Sequence, residues 1–216
     1  MGALRFPLAL LWQVSFVLPL IALGVYVVSH HENYYMEKYA LHHIDTKTGK
    51  SMEELRGITK DLIAYLDDGD DAHLSPYFQN HEILHMHDVY GLMKIAKVVR
   101  FLVLPGLIVL GLLYRSLGGS RRLLALVGAG LLLFLVAFGG LIAMTFSKSF
   151  VLFHEMFFDN DLWLMDPSKD LMIQMLPEDV FSGMALRIGA MVAGGMLLVN
   201  LLLAYRGGVN HADHRH

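Results

Sequence analysis

The chain has 216 residues, is 55% hydrophobic and carries a formal net charge of −3; its mean hydropathy is +0.49. A soluble domain of this size seldom reads so apolar, and the charge balance does not suit a nucleic-acid partner. There is no cysteine, which excludes disulfides, a thiol nucleophile and thiolate metal sites.

In chain order, Phe6 to Ser29 contains no Asp, Glu, Lys, Arg or His. That run exceeds the roughly 20 residues a helix needs to cross a bilayer. It is too long for the apolar core of a signal peptide, and no A-x-A site follows, so it reads as a retained anchor spanning 7–29. The Tyr-rich stretch 33–43 reads as strand. Ser51 and Glu54 spell a capping box, and Leu55, Ile58, Leu62 and Leu66 recur at helical spacing, ending at the acidic run 67–71. Residues 75–79, with Pro76, suit an edge strand or a turn. From Asn80 the pattern is helical and runs directly into a second span, 98–117. A third span, 123–147, continues as a helical extension through 150–158 and is broken at 159–161. Asp166-Pro167 reads as a turn and helix start with Pro at the first helical position. Residues 171–176 are amphipathic, and Pro177-Glu178-Asp179 opens the last helix, whose span is 184–205. The paired histidines His30-His31 and His42-His43 read as solvated loop, and the tail 210–216 as a disordered end.

Lys and Arg in short segments set orientation. Arg115, Arg121 and Arg122 lie between spans two and three, Arg5 at the N-terminus, Arg206 and Arg215 at the C-terminus. These segments are expected to be cytoplasmic, leaving 30–97 and 148–183 outside. Every acidic residue except Asp213 lies in those two outer segments. The expected fold is an all-α membrane protein: one integral domain of four transmembrane helices, both termini cytoplasmic, with a small extracytoplasmic α+β cap.

The chemistry concentrates where the first outer segment enters span two. Residues 81–85 spell H-E-x-x-H, in which His81 and His85 would share a helix face and Glu82 would serve as general base of a zinc metalloprotease. A third ligand is required; His154, His87 or Asp88 are the candidates. The competing reading is proton transfer by His85 and His154, since imidazole titrates near working pH. Glu82 and Asp88 each lie three residues from His85 and share its helix face, so either could fix its tautomer. There is no G-x-S-x-G elbow, which favours a reaction that needs no enzyme nucleophile. A plainer reading makes the histidines interfacial anchors of a non-catalytic membrane protein. Phe153, Phe157, Phe158 and Trp163 then form an aromatic belt. Arg100 and Arg187, near the starts of spans two and four, snorkel outward or hold a lipid carbonyl or carboxylate.

The stretch Glu82-Ile-Leu-His85-Met-His-Asp88-Val89 resembles an E-x-x-H-M-x-D-V motif. Residues Phe150 to Phe158, followed by Asn160-Asp-Leu-Trp163 and Asp166-Pro167, resemble its partner motif, and Pro177-Glu178 and the helix Glu54-Leu55…Tyr65-Leu66 fit as well. In this the chain resembles the bacterial lipoprotein intramolecular transacylases, four-span proteins of the cytoplasmic membrane. The resemblance implies transfer of the sn-2 acyl chain of a diacylglyceryl lipoprotein to the α-amine of its N-terminal cysteine. It implies His85 and His154 as the catalytic pair, with Glu82, Asp88, Arg100, Arg187 and Trp163 in support. The implied partners are diacylglyceryl-modified lipoproteins and membrane lipid, with no cofactor and no metal. His81 is outside the motif, which would make the H-E-x-x-H match incidental.

Overall fold

A computed structural model describes residues 4–212. Its helices are α1 (Arg5–Ser29), α2 (Glu32–Leu41), α3 (Ile44–Thr48), α4 (Met52–Asp68), α5 (Asn80–Ser116), α6 (Arg121–Met144), α7 (Phe146–Phe157), α8 (Leu171–Met175) and α9 (Glu178–Ala212). Four of them, α1, α5, α6 and α9, are long and apolar enough to cross a membrane. Two compact units divide the chain: Met1–Gly24, Ala96–Leu141 and Arg187–His216 form one, Val25–Ile95 and Ile142–Leu186 the other.

The first unit holds the apolar stretches of those four helices, and polar residues lock them together. Gln13 is fully buried and its Nε2 donates to the Leu124 carbonyl (2.9 Å) and to Asn200 Oδ1 (3.1 Å). Asn200 Nδ2 donates in turn to the Met196 carbonyl at 2.8 Å. This seam requires Gly128, because a Cβ there would stand 2.0 Å from Asn200 Oδ1 and 2.3 Å from Gln13 Nε2. Small residues that let polar groups meet are the usual means of joining helices in lipid. Trp12 Nε1 donates to the Leu107 carbonyl (3.1 Å) and Arg5 Nε to the Leu117 carbonyl (3.2 Å).

The second unit has its own core, built on Tyr34, Tyr39, Ile44, Leu55, Tyr65, Leu74, Met175 and Val180. Helix α4 forms as its sequence dictates. Glu54 N–H donates to Ser51 Oγ (3.2 Å), and Ser51 N–H to Glu54 Oε2 (2.7 Å), closing the capping box. Its apolar stripe Leu55, Ile58, Leu62 and Leu66 is buried. The helix stops at Gly69, which adopts φ +73°. A side chain there would strike the Tyr90 ring, 2.3 Å from a Cβ.

Three expectations are corrected. Among the described residues there is no strand, so the segment expected to be an α+β cap is helical. Tyr34, Tyr35, Met36 and Tyr39 of α2 are all buried; a strand would send neighbours Tyr34 and Tyr35 to opposite faces, whereas a helix places 35 and 39 one above the other with 34 beside them. The hydroxyls are satisfied as well: Tyr34 donates to the Val180 carbonyl, Tyr35 to that of Ser29, and Tyr39 pairs with Thr59 Oγ1. The tertiary environment thus overrides the β-propensity of tyrosine. Second, the third apolar helix does not continue unbroken: α6 ends at Met144, Thr145 leaves helical geometry at φ −123°, ψ 34°, and α7 starts anew. Third, Asp166-Pro167 makes a turn and the helix waits for Leu171, because the Asp166 carboxylate accepts Ser168 N–H and Oγ–H locally. Of the tail, residues 213–216 lie outside those described.

Candidate active site

Helix α5 enters with Gln79 and Asn80 and carries His81, Glu82, His85 and Asp88 on its first turns. Glu82 is 0% exposed. Its Oε2 accepts the Gln79 N–H (2.7 Å) and its Oε1 the Met172 N–H (2.7 Å). The first bond caps the orphan donors at the start of α5; the second ties α8 to it. Asp170, 4% exposed, is the companion residue. Its Oδ2 accepts the Asp166 N–H (2.7 Å) and faces His81 Nε2 (3.1 Å), and its Oδ1 accepts from Gln79 Nε2 (3.3 Å).

His81 and Glu82 are therefore both engaged in holding the helix start. Among the described residues no three His, Cys, Asp or Glu side chains are grouped to hold a metal ion. The H-E-x-x-H spacing is present, but its three side chains do not converge on one point.

His85 and His154 do converge. They are 7% and 8% exposed, and their rings stack at 5.9 Å between centroids with 27° between planes. His154 sits in the last turn of α7, where its Nδ1 lies 2.7 Å from the Phe150 carbonyl. A carbonyl only accepts, so Nδ1 carries the proton and Nε2 holds the lone pair. Burial pushes this imidazole below its ordinary value, and the bond to Phe150 opposes that in part. His85 is held by packing alone on one side: its buried Nδ1 has no hydrogen-bond partner among the described residues.

Aromatic rings complete the enclosure. Phe158 is buried and stands edge-on to His85 at 5.1 Å and tilted against His154 at 5.4 Å. Phe150 (4.3 Å), Trp163 (4.9 Å) and Phe153 (5.5 Å) also meet the His154 ring. Phe158 and Trp163 thus face the histidine pair as well as counting among the expected belt, while Phe157 is exposed. A groove of about 540 Å³ runs beside them, walled by Phe158, Trp163, Val151 and Leu164 and edged by Glu155, Asp159, Asn160 and Asp161.

The other expected residues lie on α5 and α9. Asp88 Oδ2 accepts from Asn160 Nδ2 (2.9 Å), and Glu82 is taken up by backbone N–H groups, so neither fixes the His85 ring as expected. Arg100, on α5, has its guanidinium 5.1 Å from the Phe101 ring, and Arg187 lies on α9; both belong to the first unit. Sequence reasoning did not single out Asp170 or Gln79, and it placed Phe150 and Asn160 in the partner motif without giving either a role. Asp170 carried one signal, an acid just before an apolar helix, but that signal means an N-cap, and its carboxylate bonds elsewhere.

The family description of the lipoprotein intramolecular transacylase Lit matches residues 10–181. The chain belongs to this family. Three solved structures of the membrane integral lipoprotein intramolecular transacylase Lit from Bacillus cereus are similar to it. One has TM-score 0.81 and 25% identity, covering 98% of this chain and 100% of that one. A histidine-to-arginine variant gives TM-score 0.78 at 25% identity, with 99% and 96% covered. A histidine-to-alanine variant gives 0.74 at 26%, with 94% of each covered. No curated protein sequence matches the chain. The family assignment agrees with the four apolar helices.

Proposed function

We propose that this member of the Lit family moves the sn-2 acyl chain of a diacylglyceryl lipoprotein onto the α-amine of its N-terminal cysteine, with His85 and His154 handling the protons. The observation that carries the reading is the buried, stacked histidine pair with one tautomer pinned. Donor ester and acceptor amine belong to one molecule, so binding need only hold them at attack distance. Such preorganisation is worth up to about 7–11 kcal/mol.

The neutral amine, with a free pKa of about 8, attacks the ester carbonyl. The new C–N bond makes that nitrogen cationic and strongly acidic. His154 Nε2 has the free lone pair and takes the proton. Collapse breaks the C–O bond, and an imidazolium returns a proton to the glyceryl oxygen. An amide replaces an ester, and no water or co-reactant enters. The ring enclosure keeps water from competing for the acyl group. Trp163 and the apolar wall of the groove offer a surface for an acyl chain, and Arg100 and Arg187 a contact with lipid carbonyls.

On the same reading the protein lies in the cytoplasmic membrane with both termini inside and the histidine pair on the outer face. The spans would be 7–29, 98–117, 123–147 and 184–205, with the segments 30–97 and 148–183 outside. Mass spectrometry of a lipoprotein N-terminus tests the activity. His85→Ala and His154→Ala should each lower lyso-form production at least about 100-fold, the scale of general acid–base groups, in protein that still inserts and accumulates. Near-normal acyl transfer by either variant overturns the mechanism. His81→Ala should cost far less, whereas a zinc enzyme would lose metal and activity with it.

A further inference from the structure

Asp88 and Asn160 stand on different elements, Asp88 on the helix of His85 and Asn160 in the segment that follows the helix of His154. Asp88 lies three residues after His85, on the same face of α5. Asn160 lies in the turn that follows α7 and leads to Trp163. Its side chain bonds in two directions at once. Oδ1 accepts the Leu162 N–H at 3.1 Å, and Nδ2 donates to Asp88 Oδ2 at 2.9 Å. The orientation of the amide is forced: a backbone N–H only donates and a carboxylate oxygen accepts, so only Asn Oδ1 facing Leu162 satisfies both.

The Asx bond to Leu162 shapes the turn, and backbone bonds from Leu164 N–H to Asp161 and from Met165 N–H to Trp163 continue it. The turn carries Trp163 back over the His154 ring at 4.9 Å and begins at Phe158, which touches both imidazoles. The two imidazoles meet by stacking, and His85 Nδ1 has no partner among the described residues. Packing without hydrogen bonds fixes direction poorly, so the register of the two rings depends on what ties their elements together.

We propose that Asn160 is a positioning residue: its amide straps the Trp163 turn to α5 through Asp88 and so sets the spacing of the His85–His154 pair. The inference rests on the histidine reading for its activity consequence, but the strap itself is independent of it. A misplacement of about 1 Å can cost ~100-fold in rate, which is the scale at issue.

The chemistry of the strap dictates an asymmetric set of variants. Asp88→Asn keeps it, because the new amide oxygen still accepts from Asn160. Asn160→Asp breaks it, because two carboxylates then face each other with no donor. The double variant Asp88→Asn/Asn160→Asp rebuilds it with the donor on the other side. The carboxylate at position 160 keeps one oxygen for the Leu162 N–H and offers the second to the new amide at position 88. Each variant is made in a Trp12→Phe background, which leaves Trp163 as the sole tryptophan because the chain has only two.

Expected for Asn160→Asp is a fall in kcat of about 10–100-fold, with Trp163 emission shifted to the red as it leaves the imidazole. Asp88→Asn should keep the parent Trp163 emission and lose less kcat than Asn160→Asp, because its amide oxygen still accepts from Asn160. The double variant should recover the parent emission and regain at least about tenfold over Asn160→Asp alone. Failure of the double variant to recover, or loss in Asp88→Asn equal to that in Asn160→Asp, overturns the strap; the second result would mean the Asp88 charge acts by itself. Should Asn160→Asp not accumulate, accumulation of the double variant counts for the strap and absence of both counts against it. A His154→Ala control separates the two ideas: if it stays active the histidine mechanism fails, while the emission series still decides the strap.

Discussion

His154 is constrained more tightly than His85, and the difference has consequences for pH. Its Nδ1–H is committed to Phe150 and its ring is closed in by Phe158 and Trp163. Burial disfavours the imidazolium, so its protonation falls below the ordinary 6.5. An imidazole that must be neutral to accept a proton loses activity as pH falls through its own pKa; a lowered pKa keeps it competent further into acid. Phe158→Ala would admit water beside the ring and relieve the desolvation. The acid limb of the kcat profile should then move to higher pH, toward the ordinary value. Titration of the substrate amine is common to both enzymes, so the shift between the two profiles reports the enzyme alone. An unchanged or more acidic limb in a folded Phe158→Ala protein would show that Phe158 does not supply the desolvation. At this scale the sequence named the two histidines by motif. It named Trp163 as a supporting residue only through the resemblance and gave Phe153 and Phe158 to an aromatic belt; the ring contacts and the tautomer depend on which rings the turn after α7 brings back, and no local pattern encodes that.

At the scale of elements, α4 and the entry of α5 were legible because both rest on local rules: a capping box, an apolar stripe and a continuous helical period. Helix α2 was not, since Tyr34, Tyr35 and Tyr39 have β-propensity and reveal helix only through what buries them. The break at Thr145 was equally hidden, for the run across it, 141–158, contains neither Gly nor Pro. Glu82 shows how one residue type admits two roles. The motif read it as a general base; the structure has both its oxygens accept backbone N–H groups of separate segments. Glu82→Gln replaces one acceptor oxygen by a donor that meets an N–H head-on. Losing such a buried, charge-assisted bond costs about 1–3 kcal/mol. Thermal denaturation in detergent should therefore show a clear drop in midpoint, with activity falling only as far as folded protein does. A Glu82→Gln protein of unchanged stability but abolished turnover would return Glu82 to the chemistry.

The whole molecule raises the question of which way it lies in the membrane. Its four long apolar helices and the placement of its basic residues were readable in sequence because helix length, apolar composition and the distribution of Lys and Arg are one-dimensional patterns. The polar seam of Gln13, Asn200 and Gly128 was not, since each stands alone in an apolar run. The substrate of the proposed reaction keeps its acyl chains in the bilayer and its new N-terminus at the surface, so a site at the outer face has to be matched by cytoplasmic arginines at the other. Arg115, Arg121 and Arg122 cluster around one short turn, and Arg5 Nε reaches the Leu117 carbonyl at its edge (3.2 Å). The acidic residues lie almost wholly in the segments 30–97 and 148–183. Positive charge resists translocation and acidic charge does not, so the turn at Ser120 should stay inside and the loop at Gly69 should cross. Reporter fusions at the two sites give opposite signals on that expectation: cytoplasmic activity at Ser120 and extracytoplasmic activity at Gly69. A cytoplasmic signal at Gly69 would put His85 and His154 on the face away from exported lipoproteins, and acyl transfer to an exported N-terminus could not then be the work of this histidine pair.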